Sequence, residues 1–151
     1  MRRTRVVVAT DGSNAAHRAI RWCADFAENA DLDVVVVHVI SNVGEWLMSV
    51  AQIDFQQIER ERRELLKGLW TAPLRDAGVS FRTQLLVGDP IDAVLSAADE
   101  QDADLVVIGK TGHDRIGASL LGGTAMKLAH RTKRPLLLIS DTPSQPDHGP
   151  T

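Results

Sequence analysis

The stretch DVVVVHVI, residues 33–40, is apolar at every position from Val34 to Ile40 except His38. A strand with one wet face alternates apolar and polar residues, whereas an unbroken apolar run marks a strand covered on both faces, as in parallel sheets. Three further runs have this character: RVVVAT (5–10), DLVVIG (104–109) and PLLLIS (135–140). A fifth, VSFRTQLLVGD (79–89), alternates at first, setting Val79, Phe81, Thr83 and Leu85 against Ser80, Arg82 and Gln84. Its wetter face predicts an edge strand.

Helical patterns separate the runs. Ser13 or Asp11 caps a first helix in which Ala16, Ala19, Ile20, Cys23 and Ala27 share a face. A long segment from about Ser49 to Ala77 sets Ile53, Ile58, Leu65, Leu69 and Ala72 near helical spacing, with Gly78 to end it. Its ERERRE run (59–64) reads as a wet face with i,i+3 and i,i+4 pairing. Pro90, after Asp89, stands in the first turn of another helix carrying Val94, Leu95 and Ala98. A last helix begins near Gly122 to Thr124 and ends by Thr132. Five strands thus alternate with four helical segments, which predicts an α/β fold: an open, doubly wound parallel sheet of five strands. Residues 42–48, NVGEWLM, have no clear period and read as a loop or lid. Trp46, Leu47 and Met48 are expected to pack on the core.

The bulk numbers agree. At 151 residues and 44% hydrophobic composition, one domain over residues 1–140 is expected. The polar, proline-rich DTPSQPDHGPT (141–151) reads as a flexible tail. A net charge of −3 gives no footprint for nucleic acid. The one cysteine, Cys23, fits a reducing compartment and reads as a small core residue. No apolar stretch is long enough for a leader or a membrane span, so a cytoplasmic protein is expected.

Ligands of open α/β sheets bind beyond the carboxyl ends of the strands, where strand order reverses. Two strand ends are chemically unusual: ATDGS (9–13) and GKTGHD (109–114). Between Gly109 and Gly123 lie five of the 11 glycines: 109, 112, 117, 122 and 123. Glycine costs backbone entropy, so such a cluster needs a reason. A phosphate cradle is one, since the run Gly122–Gly123–Thr124 opens a helix whose free N–H groups favour an anion. Turn and cap residues of a long loop are the other, and on the residues alone both readings stand. The G-x-x-x-x-G-K-[ST] phosphate loop is missing, and so is G-x-G-x-x-G after the first strand.

Together these residues resemble the universal stress protein family over roughly residues 4–140. Nucleotide-binding members carry G-x-x-G, nine residues, then G-[ST], a spacing that Gly109, Gly112 and Gly122 fit. The blocks VVVATDGS, VVVVHVI, GDPIDAVLSAADEQDADLVVIG and KRPLLLIS are similar too, in the right order. The resemblance implies strand order 3-2-1-4-5, helices on both faces in the manner of adenine-nucleotide alpha hydrolases, and a crevice between strands 1 and 4. It implies an adenine nucleotide there: ATP, or AMP or cyclic AMP, with Mg2+ able to accompany the phosphates. Thr10 and Asp11 would close the first strand against it, Asp11 taking the ribose hydroxyls. Val39 and Ile108 would meet the adenine. Gly109, Gly112, Gly122 and the residues just after, Gly123 and Thr124, would hold the phosphates.

Gly123 departs from the pattern, standing where the family has a serine or threonine. It keeps the N–H donor and loses a hydroxyl worth about 1.5–3 kcal/mol to a charged group. Thr124 supplies a hydroxyl one residue on, rotated by about 100°.

Lys110, His113 and Arg115 are loop cations that either add positive charge near the phosphates or are simply solvated, the plainer reading. His38 reads as a satisfied core histidine. Leu136 to Ile139, apolar on an edge strand, invite association, and family members commonly dimerise there, so a homodimer through residues 135–140 is expected. The expected function is that of a nucleotide-binding stress regulator, with two alternatives: a nucleotide-free interaction module of the same fold, or a slow ATPase. The last has little support, because phosphoryl transfer needs placed metal ligands and only Asp11 and Asp114 are acidic near the loop.

Overall fold

A computed structural model describes residues 2–110 and 123–140, with the backbone alone for 43–45. Gly112, Gly117, Gly122, His113, Asp114, Arg115 and the 141–151 tail lie outside the described residues.

The apolar runs become strands β1 (Thr4–Ala9), β2 (Leu32–Ser41), β3 (Phe81–Gly88), β4 (Leu105–Gly109) and β5 (Leu136–Ile139). They form one parallel sheet in the order β3-β2-β1-β4-β5. The chain builds outward from β1 to β3, then returns past β1 to lay down β4 and β5. Strand order therefore reverses between β1 and β4, where Val6 pairs with Leu105 and Val8 with Val107.

The two-sided burial expected of DVVVVHVI is present. Val6, Val8, Val34 and Val36 face one layer, and Val7, Val35 and Val37 face the other. The first layer is closed by helix α1 (Asn14–Phe26), through Ala19, Ile20, Cys23 and Ala24, and by Leu66 and Leu74. Helices α5 (Pro90–Glu100) and α6 (Gly123–Arg131) close the second, with Ile91, Val94, Ala97, Ala98, Ala125 and Leu128. Ser13 caps α1, its hydroxyl accepting the Ala16 N–H at 3.2 Å. Asp89 caps α5 ahead of Pro90 by accepting the Asp92 N–H at 3.0 Å. Cys23 is fully buried, and burial pushes its thiol up to about 12, so it stays protonated at neutral pH.

The stretch between β2 and β3 differs from expectation. Residues 42–48 are not a loop: α2 (Asn42–Val50) starts directly after β2. Trp46 and Leu47 do not pack on the core, being 64% and 53% exposed. The long helix over 49–77 is broken into α3 (Phe55–Lys67), a single 3-10 turn (Leu69–Thr71) and α4 (Ala72–Asp76). Gly68 ends α3, Pro73 opens α4, and the break is held by hydrogen bonds to carbonyls that the helix leaves free. Thr71 donates its hydroxyl to Leu66 O at 2.9 Å, and the Arg75 guanidinium donates to Lys67 O at 2.6 Å and Gly68 O at 3.2 Å. Leu66 in α3 and Leu74 in α4 are buried, while Ile53, ahead of α3, and Leu69, in the 3-10 turn, face outward.

Candidate functional site

The reversal between β1 and β4 opens a hollow of about 230 Å³ on the α5–α6 side of the sheet. Of the residues expected there, it is lined by Thr10, Asp11, Val39, Ile108, Gly109 and Thr124. Gly123 opens α6 and is exposed, and it is Thr124, one residue on, that lines the hollow. The sequence reading missed Val37, Pro90, Val94, Ala125 and Leu128, which complete the wall. Val37 comes from β2, Pro90 and Val94 from α5, and Ala125 and Leu128 from α6, and they meet because both helices cover the same face of the sheet. The 3.6-residue period that marks the helical ones as core does not separate a core side chain from one lining a hollow.

Local bonds shape the turn that follows β1. The Thr10 N–H donates to Val37 O at 2.8 Å, extending the β1–β2 ladder by one rung. Thr10 Oγ1 accepts the Gly12 N–H at 3.1 Å, and Asp11 Oδ1 accepts the Ser13 N–H at 2.9 Å. Such side-chain-to-backbone bonds define tight turns. Gly12 holds the left-handed φ of +78° that the turn requires. A Cβ there would come within 2.5 Å of Trp70 Cζ2, since the indole occupies the space beside that position.

Gly109 lines the hollow and also meets a packing demand that its motif does not announce. A Cβ at this position would overlap the backbone carbonyl of Ala15 and lie 2.9 Å from Ala16 N. The first turn of α1 therefore fills the space, and helix–strand packing demands the glycine.

His38 is buried, as a satisfied core histidine should be, and lies on the α1 side of the sheet, behind the hollow. Its Nδ1 is 2.7 Å from the carbonyl oxygen of Thr10. A carbonyl only accepts, so Nδ1 carries the proton. Burial holds the imidazole's pKa below the usual value; the Thr10 bond opposes this, the Arg62 charge adds to it, and Asp11 pulls the other way. The Trp70 ring meets His38 edge-on, centroids 5.0 Å apart.

A larger hollow of about 360 Å³ lies where residues 131–134 lead into β5. Four of its charged residues pair, Arg131 with Asp92 and Arg134 with Asp99, as in a polar packing seam. Among the described residues no group of three or more His, Cys, Asp or Glu could hold a metal ion. None of the described helices is long and apolar enough to cross a membrane.

The sheet order, the hollow at its reversal point and the glycine-flanked strand end define a known class. The profile of the Universal stress protein family matches residues 2–140, and the chain belongs to that family. Universal stress protein Rv1636 of Mycobacterium tuberculosis is 30% identical over 149 residues, covering 91% of this chain and 96% of its own. Among solved structures, a universal stress protein in complex with cAMP aligns with a TM-score of 0.67 at 26% identity, covering 93% of this chain and 98% of that one. The universal stress protein from Archaeoglobus fulgidus in complex with dAMP gives 0.66 at 26% identity, covering 92% and 99%.

Proposed function

We propose that this chain binds an adenine nucleotide in the hollow between β1 and β4 and acts as a cytoplasmic regulator in stress adaptation. The observation that carries this reading is the convergence of Thr10, Asp11, Val39, Ile108, Gly109 and Thr124 on one hollow at the strand reversal. Two structural neighbours hold adenine mononucleotides, which supports the ligand class. Val37, Val39 and Ile108 supply an apolar wall for a base. The Asp11 carboxylate accepts from ribose hydroxyls, a charge-assisted bond. The phosphates lie toward Gly109 and the start of α6, whose first turn holds no acidic residue to oppose an anion. Gly112 and Gly122 would extend that cradle by the family's spacing. ATP is the ligand we favour, with Mg2+ arriving on its phosphates. The unit is residues 1–140, with 141–151 as a tail.

Calorimetry with ATP, ADP, AMP and cyclic AMP, with and without magnesium, tests the reading. At least one should bind, and Asp11→Ala should weaken it about tenfold or more, the worth of one hydrogen bond to a charged group. No heat from any of the four would favour the nucleotide-free interaction module instead. Steady production of ADP from ATP would favour the slow ATPase.

We also propose a homodimer through β5. This strand pairs with β4 alone among the described strands, and Leu136 to Ile139 are all half-buried. An open apolar edge of this kind recruits a second strand. Light scattering after size exclusion should return twice the chain mass at micromolar concentration; a monomer there removes the proposal.

A further inference from the structure

The turn that presents Asp11 is held from the far side of the sheet. The carbonyl that His38 grips belongs to the peptide plane joining Thr10 to Asp11. The same residue's N–H is fixed to Val37 O and its hydroxyl to the Gly12 N–H. The Thr10 N–H and the Gly12 N–H belong to the peptide planes before and after, so three successive planes are each tied and Asp11, between the second and third, has little backbone freedom. Trp70 backs the arrangement twice, meeting the His38 ring edge-on and filling the space beside Gly12. Neither His38 nor Trp70 lines the hollow.

We infer that His38 is a positioning residue for the nucleotide: its Nδ1–H, braced by Trp70, sets the Thr10–Asp11 peptide so that the Asp11 carboxylate meets the ribose hydroxyls. The inference rests on the nucleotide reading given above. It concerns one subsite, so it separates from a general role in stability. Loss of the strut lets the turn relax and costs the ribose contact, while base and phosphate contacts, made by other elements, persist.

The test compares AMP with 2′,3′-dideoxy-AMP, which lacks both hydroxyls, by calorimetry on the full chain. The wild-type protein should prefer AMP by about tenfold or more, the value of one charge-assisted hydrogen bond. His38→Leu should bring that preference to within about threefold of parity, leaving dideoxy-AMP affinity near wild type. His38→Asn places an amide N–H where Nδ1 stood and should keep the preference. His38→Gln moves the donor one atom further out and should lose it. A folded His38→Leu protein with its preference intact overturns the inference, as does an equal loss of affinity for both ligands. If the leucine variant does not fold, the Asn and Gln variants decide, and identical behaviour of the two overturns it. Equal wild-type affinity for both nucleotides would instead remove the ribose role of Asp11, and no binding of either would remove the nucleotide site; the inference falls with each.

Discussion

Gly109→Ala is expected to cost the fold about 3 kcal/mol, since overpacking costs about 1–3 kcal/mol and the obstacle here is backbone rather than a yielding side chain. The added methyl would overlap the Ala15 carbonyl, in the first turn of α1. To make room, α1 must lift from the end of β4, and Ala19, Ile20 and Cys23 would move with it. In a chain of this length each kcal/mol shifts the midpoint by about 2–4 °C, so thermal unfolding should fall by about 6–12 °C. The result separates two reasons for the glycine. If Gly109 were required only for a phosphate to approach, alanine would abolish nucleotide binding and leave the melting point where it was. That outcome would refute the packing argument.

Leu66→Ala and Leu69→Ala should differ by several kcal/mol, although only three positions apart. Leu66 is 1% exposed among Ile20, Val34 and Leu74, whereas Leu69 is 70% exposed. Truncating a buried leucine costs about 2–5 kcal/mol, because a cavity is left as well as lost burial. A surface leucine away from such packing costs about 0.5 kcal/mol or less. Urea unfolding of the two variants measures the difference directly. Equal losses would mean that α3 presents a different face to the sheet from the one described.

That contrast also marks where sequence reading stopped. Runs such as DVVVVHVI and DLVVIG announce strands because β-branched residues at successive positions suit a sheet covered on both faces. Periodicity over 49–77 misled, since one phase was carried across Gly68 and Pro73, the two residues that break it. Both were visible as punctuation, and reading them would have kept Leu69 off the buried face. At the site, Thr10, Asp11 and Gly109 were legible because strand termini are where such folds open. Val94, Ala125 and Leu128 were not, since helical spacing says only that they point inward. The reason for Gly109 was also hidden: the residue it yields to, Ala15, lies 94 positions earlier in the chain. The contact between His38 and Trp70 likewise joins elements that no local pattern connects.

The valine tract of β2 has a consequence of its own. Val34 to Val37 are identical, so sliding this strand by a single place would swap valine for valine in both layers and leave the greasy interior almost indifferent. A homopolymer has no reading frame. His38 supplies one, because the same slip would carry its imidazole to the opposite side, away from the oxygen it serves, and an orphaned polar group indoors costs about 1–3 kcal/mol. The lone heteroatom-bearing letter in the tract thus punctuates an otherwise ambiguous word.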